Sequence, residues 1–182
     1  PLRVSVNVSS VQFQNSAFVA MVQRVLRETG APPELIELEL TESVLMANVE
    51  QARTTINALK ALGLQISIDD FGTGYSSLNY LRQFAVDFLK IDRSFVVDAD
   101  SNPRDRAVVV AIIELAKALN ISVVAEGVET EPQARFFSEA HCDELQGFLL
   151  CRPLPVDRLE LHMARASKAE AERNWPLSRA QS

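Results

Sequence analysis

The sequence predicts an α/β fold, a (β/α)8 TIM-type barrel of which about six strands are present in this chain. Three observations support this. Short apolar runs of period two alternate with longer segments of helical period, the strand-to-strand spacings are roughly 20 to 35 residues, and polar side chains collect at the C-terminal ends of successive strands. Spacings of that size suit crossover helices joining parallel strands.

Strands are expected at Arg3–Val8, Ile36–Leu40, Gln65–Asp69, Phe88–Asp92, Ile121–Ala125 and Leu145–Leu150. Between them Phe18–Thr29, Asn48–Leu62, Pro103–Leu119 and Glu131–Glu139 have helical period. Gly30, Gly63 and Asn120 stand where helices would end, and Pro32, Pro33 and Pro132 where turns or helices would begin. Val156–Arg173 reads as a charged helix with Leu159 and Met163 on one face, and Asn174–Ser182 as a tail. A full barrel takes about 250 residues and eight strands, so about two strands are expected upstream and the chain reads as cut from a longer one.

Composition narrows the function classes. With 182 residues, 47% of them hydrophobic, the chain has enough apolar side chains for a sizeable core, and no apolar run approaches the roughly 18 to 20 residues of a membrane helix. The formal net charge of −6 argues against a grip on a DNA backbone. Cys142 and Cys151 are too few for a disulfide scaffold and suit reduced thiols in the cytoplasm, although other domains of a parent protein could anchor it to a membrane.

The strand faces hold the chemistry. In the first strand Val4, Val6 and Val8 share one face, expected to lie under helices, and Ser5, Asn7 and Ser9 the other. The same alternation turns Glu37 and Glu39, then Ser67 and Asp69, then Lys90 and Asp92, toward the barrel interior. Asn7, Glu39, Asp69 and Lys90 fall at or near strand C-termini, with Glu126 just after the fifth strand and Gln146 at the start of the sixth. Barrel enzymes build their sites on that face.

Carboxylates gathered in one mouth repel one another, and a divalent cation is the economical counter-charge. Oxygen-only donors point to Mg2+ or Mn2+, and the adjacent Asp69 and Asp70 suit a two-metal site for phosphodiester hydrolysis. Each motif alone admits a plain reading. Asp69–Asp70 fits an Asx turn, Lys90–Asp92 an ion pair on one strand, Thr41–Glu42–Ser43 a helix start and Ala125–Glu129 a helix N-terminus. A protein-kinase reading of Asp70–Phe71–Gly72 fails, because no accompanying kinase motif is present.

Six motifs in order closely resemble the EAL domain of bacterial cyclic-di-GMP phosphodiesterases over roughly residues 1–160, leaving 161–182 as a helix end and tail. They are Asn7–Ser9, Glu39–Ser43, Asp69–Ser77, Leu89–Asp92, Ala125–Glu129 and Gln146–Gly147. The resemblance implies a barrel with one antiparallel strand that hydrolyses cyclic di-GMP to linear pGpG with Mg2+ or Mn2+. It implies Asn7, Glu39 and Asp69 as ligands of one metal, and Asp69, Asp70 and Glu126 as ligands of the other. Lys90 is similar to the residue that contacts the attacking water, Gln146 to one that holds water or substrate, and Glu129 to an acidic position beside them. Glu42 resembles the anchor of the loop Asp70–Ser77, and Pro153 the segment lining a guanine pocket; Asp92 and Phe148 complete the substrate contacts.

The resemblance further implies a homodimer through the helix Ser76–Gln83 and an upstream sensor or diguanylate-cyclase-like domain. The Glu-Ala-Leu signature, which supplies a metal ligand, lies upstream of Asn7 in the family. The isolated 182 residues are therefore expected to be inactive or unstable. The competing expectation is a catalytically silent receptor that binds cyclic di-GMP and signals to a partner domain.

Overall fold

The computed structural model describes residues 2–72 and 81–164, and the chain divides into two compact units, Pro1–Leu150 and Cys151–Ser182. The first unit holds six strands: β1 (Val4–Asn7), β2 (Ile36–Thr41), β3 (Gln65–Phe71), β4 (Phe88–Ile91), β5 (Ser122–Glu126) and β6 (Glu144–Gln146). All five pairings are parallel and the strands stand side by side in sequence order. An order that never reverses is the walk of a barrel, whereas a doubly wound sheet has a switch point. The six strands form a partial (β/α)8 barrel.

The helices lie where their caps direct. α1 (Ser10–Gln14) opens with a capping box in which Ser9 N donates to Gln12 Oε1 at 3.1 Å. α2 (Phe18–Thr29) ends at Gly30, whose φ of 66° is the left-handed closure glycine permits. α3 (Glu42–Ala47) continues from β2, and α4 (Val49–Ala61) is capped by Asn48. α5 (Arg93–Val96) is a single turn, α6 (Pro103–Ala118) begins on Asn102 and Pro103, and α7 (Glu131–Glu139) has a second capping box from Thr130 and Gln133. In the second unit, residues 156–164 are helical. Among the described residues no helix is long and apolar enough to cross a membrane.

The apolar faces of the central strands supply the core: Leu38 and Leu40, Ile66 and Ile68, Leu89 and Ile91, and Val123 and Ala125 are buried in one cluster with Ile56, Leu59, Val109, Ile113 and Phe137. Each large side chain so buried contributes about 1.5 to 3 kcal/mol. β1 departs from the expectation of a covered valine face. It is an edge strand, Val4 and Val6 are 54% and 44% exposed, and α2 packs against α1 and α4.

The sheet curls until its two edges meet through one side chain. Arg3, beside β1, reaches Glu37 of β2 and Glu144 of β6, at 2.6 Å each, and its guanidinium lies 3.9 Å from the Phe88 ring centroid. Two other acidic residues tie strand starts together: Asp87 Oδ2 accepts from Ile66 N and Asp143 Oδ2 from Val123 N, both at 2.8 Å.

Every expected strand shifts at one or both ends, and the shifts of β5 and β6 move site residues. β5 extends through Glu126, so this residue ends the strand instead of following it. β6 spans only Glu144–Gln146, and residues 147–150 turn away, with Leu149 N donating to Val128 O and Leu150 N to Gly147 O. Gln146 thus ends its strand and does not start it. The apolar run Phe148–Leu150 looks like strand locally, but the close approach of Gly147 to the Val128 backbone bends the chain there.

Candidate active site

The C-terminal ends of the strands bring the polar residues into one mouth. Asn7 is the register partner of Glu39, and Val8 N donates to Glu39 O at 3.0 Å, so the end of β1 is held against β2. Glu39 points inward and is buried, as is Lys90 on β4. Glu126 and Gln146, at the ends of β5 and β6, are register partners.

β3 does something the alternation did not foresee. Ile68 pairs with Leu89 and Phe71 with Ile91, so three steps on β3 match two on β4. The extra residue makes this a β-bulge, and Asp70 stands in it with a left-handed φ of 55°. The extra residue lets Phe71 return to the buried outer side opposite Ile91 while Asp69 and Asp70 stand together at the strand end. Asp69 Oδ1 accepts from Asp70 N at 2.9 Å, one residue on instead of the two that an Asx turn spans.

Lys90 holds the centre. Its Nζ lies 2.5 Å from Glu39 Oε1 and 2.5 Å from Glu126 Oε1. Burial pushes the ammonium pKa down, but the hydrogen bonds and charges of Glu126 and Glu39 outweigh it and leave Lys90 above its ordinary value. Glu126 is also raised, first by burial and then by Asp69 and Glu39, against the opposing pull of Lys90. Asp70 is raised by burial, Asp69 and Asp92. Burial leads the rise at Glu126 and Asp70, and the crowding of more carboxylates than Lys90 can neutralise adds to it.

That excess of negative charge, with oxygen as the donor atom throughout Asn7, Glu39, Asp69, Asp70 and Glu126, fits hard divalent cations such as Mg2+ or Mn2+. Among the described residues no three His, Cys, Asp or Glu side chains already stand together at metal-binding spacing. Lys90, rather than a preformed carboxylate cage, organises the mouth.

The remaining expected residues are placed as follows. Asp92 does not pair with Lys90; it caps α5, accepting from Ser94 N at 3.0 Å. Glu129 is bound by Arg93 at 2.8 Å, a partner 36 positions away that no sequence signal announced. Arg93 also packs over Gly127, where a Cβ would lie 2.5 Å from Arg93 Cγ. Phe148 follows Gly147 in the turn after β6 and is half-exposed. Glu42 is buried in the first turn of α3, and its Oε2 has no hydrogen-bond partner among the described residues. The Thr73–Ser77 part of the loop it would anchor, and residues 76–80 of the expected dimer helix, lie outside the described residues. Pro153 belongs to the second unit.

The profile of the EAL domain matches residues 1–153 of the chain. The chain belongs to the EAL domain family. The cyclic di-GMP phosphodiesterase NbdA of Pseudomonas aeruginosa is 46% identical to this EAL domain over 159 residues, 87% of this chain and 20% of that protein. The structure of the PaMucR phosphodiesterase in complex with c-di-GMP superimposes with a TM-score of 0.83 at 43% identity, covering 86% of this chain and 64% of that one. Klebsiella pneumoniae BlrP1 in a manganese and c-di-GMP complex gives a TM-score of 0.77 at 31% identity, over 83% of this chain and 39% of that one. The chain spans about a fifth of the length of curated relatives such as NbdA. The structural neighbours of this EAL domain include proteins solved with c-di-GMP.

Proposed function

We propose that this EAL domain hydrolyses cyclic di-GMP to linear pGpG. The observation that carries the reading is Lys90 held between Glu39 and Glu126 at the C-terminal mouth of the barrel, with Asn7, Asp69, Asp70 and Gln146 at the neighbouring strand ends. The relatives named above support the substrate. In the reaction a water oxygen bonds to phosphorus, one P–O3′ bond breaks, and the 3′ oxygen leaves as a hydroxyl.

Asn7, Glu39, Asp69, Asp70 and Glu126 would hold Mg2+ or Mn2+, which when bound supplies polarisation of a phosphoryl oxygen and acidification of the attacking water. The chain's own groups do the rest. Lys90, kept protonated by its carboxylate neighbours, donates to the attacking water and balances charge growing on the phosphate. Gln146, registered against Glu126, positions that water or the substrate through its side-chain amide. Glu129, oriented by Arg93, sits close in sequence to Glu126 and acts beside it. Phe148 receives the guanine bases by stacking, and Asp92 contacts the substrate beside it. Glu42 anchors the loop that begins at Asp70.

In the full-length protein the domain would act in the cytoplasm as a homodimer, under an upstream sensor or diguanylate-cyclase-like domain. A chromatographic assay of cyclic di-GMP turnover by the full-length protein with Mg2+ or Mn2+, beside Asp69→Asn, tests the function. The expected result is pGpG formation that disappears in the variant. Tight nucleotide binding with no product would replace the enzyme with a receptor.

A further inference from the structure

We infer that Lys90 is a tethered counter-ion which a divalent cation must displace from Glu39 and Glu126, so that this lysine lowers the affinity of the site for metal. The inference rests on the metal-dependent reading of the same mouth. The side chain of Lys90 is 4% exposed, and its Nζ lies 2.5 Å from one oxygen of each carboxylate. These carboxylates come from β2 and β5, on either side of the barrel segment that contains β4. An ammonium so placed occupies the oxygens that an incoming cation needs, and its charge repels that cation across a few Å of half-dry protein. Among the described residues no three acidic side chains converge at metal-binding spacing while Lys90 sits there.

Metal loading therefore exchanges one cation for another. Glu39 and Glu126 turn from the ammonium to the metal, and the released Nζ becomes a donor available to water or phosphate. One residue would then link two events, because its hydrogen-bonding capacity is engaged without metal and free with it. Lys90 is in this respect a positioning residue for the metal as well as a contact for the reaction.

The test is direct Mn2+ binding to the full-length protein, read by the electron paramagnetic resonance signal of free Mn2+, for the wild type, Lys90→Met and Lys90→Arg. Removing a unit charge a few Å from a divalent ion is expected to tighten Mn2+ binding by about tenfold or more in Lys90→Met. Lys90→Arg, which keeps the charge, should stay near wild type. Lys90→Gln removes the charge but keeps a hydrogen-bond donor, and serves if Lys90→Met does not fold. Thermal melts give a second readout, with Mn2+ raising Tm more in the neutral variant than in wild type. Equal or weaker Mn2+ binding by the neutral variants, with the wild type binding normally, overturns the displacement. Absence of Mn2+ binding in every form overturns both this inference and the metal-dependent function. Tighter binding in the variants, with no cyclic di-GMP turnover by the wild type, upholds the displacement and removes only the phosphodiesterase.

Discussion

Replacing Arg3 by Met would separate the contribution of one buried charge from that of the barrel around it. Arg3 is 27% exposed and faces Glu37, which is 2% exposed; Glu144, its second partner, is 44% exposed. Glu37 Oε2 has no aligned hydrogen bond, so its ion pair with Arg3 Nε is its main compensation. Stranding a buried carboxylate costs about 3 to 5 kcal/mol, and the partial exposure of Arg3 selects the lower end. The exposed pair with Glu144 adds roughly 0.5 kcal/mol. Loss of the guanidinium over Phe88 adds about 0.5 to 1 kcal/mol. The expected total is about 4 kcal/mol, nearly a thousandfold in the folding equilibrium at about 1.4 kcal/mol per decade. The double variant Arg3→Met with Glu37→Leu removes both charges and should return to within about 1 kcal/mol of wild type. Urea unfolding followed by far-ultraviolet circular dichroism measures all three proteins. A single variant costing under about 1 kcal/mol, or a double variant no better than the single, would refute the reasoning.

Gly147→Ala would place a Cβ 2.1 Å from Val128 O and 2.3 Å from Val128 N, atoms of backbone that cannot yield without breaking the Val128 N to Gln146 O and Leu149 N to Val128 O bonds. A loss of about 2 to 4 kcal/mol and detachment of Gln146 from β5 are expected in urea titration, and a midpoint shift worth under about 0.5 kcal/mol would contradict the close approach. For metal-free protein the raised pKa of Glu126 sets the sign of one pH effect. Between its ordinary value of 4.5 and its raised value in the fold, the native state binds more protons than the unfolded chain, so this group makes stability fall as pH rises through that window. Thermal melts in chelator from pH 8 to pH 5 should show this component in wild type and lose it in Glu126→Gln; identical slopes in the two proteins would refute it.

The strands and longer helices were legible because side-chain period and caps are properties of the local chain. Phe18–Thr29 and Glu131–Glu139 carry their bounds in the apolar spacing, Gly30 and Pro132. The same alternation turned Glu37, Glu39 and Ser67 inward, and all three are buried as expected. Asn7, Glu39, Asp69 and Lys90 could be listed together from sequence because parallel strands all end at one pole of a barrel. What each side chain holds was decided elsewhere. Local spacing suggested Asp92 for Lys90, but curvature brings Glu39 and Glu126 from distant segments onto its ammonium and leaves Asp92 to cap α5. The bulge at Asp70 depends on how β3 registers against β4. The meeting of Arg3 with Glu144, 141 positions apart, exists only once the sheet has curled. Period is written residue by residue, whereas charge pairing depends on distances between segments that only chain closure sets.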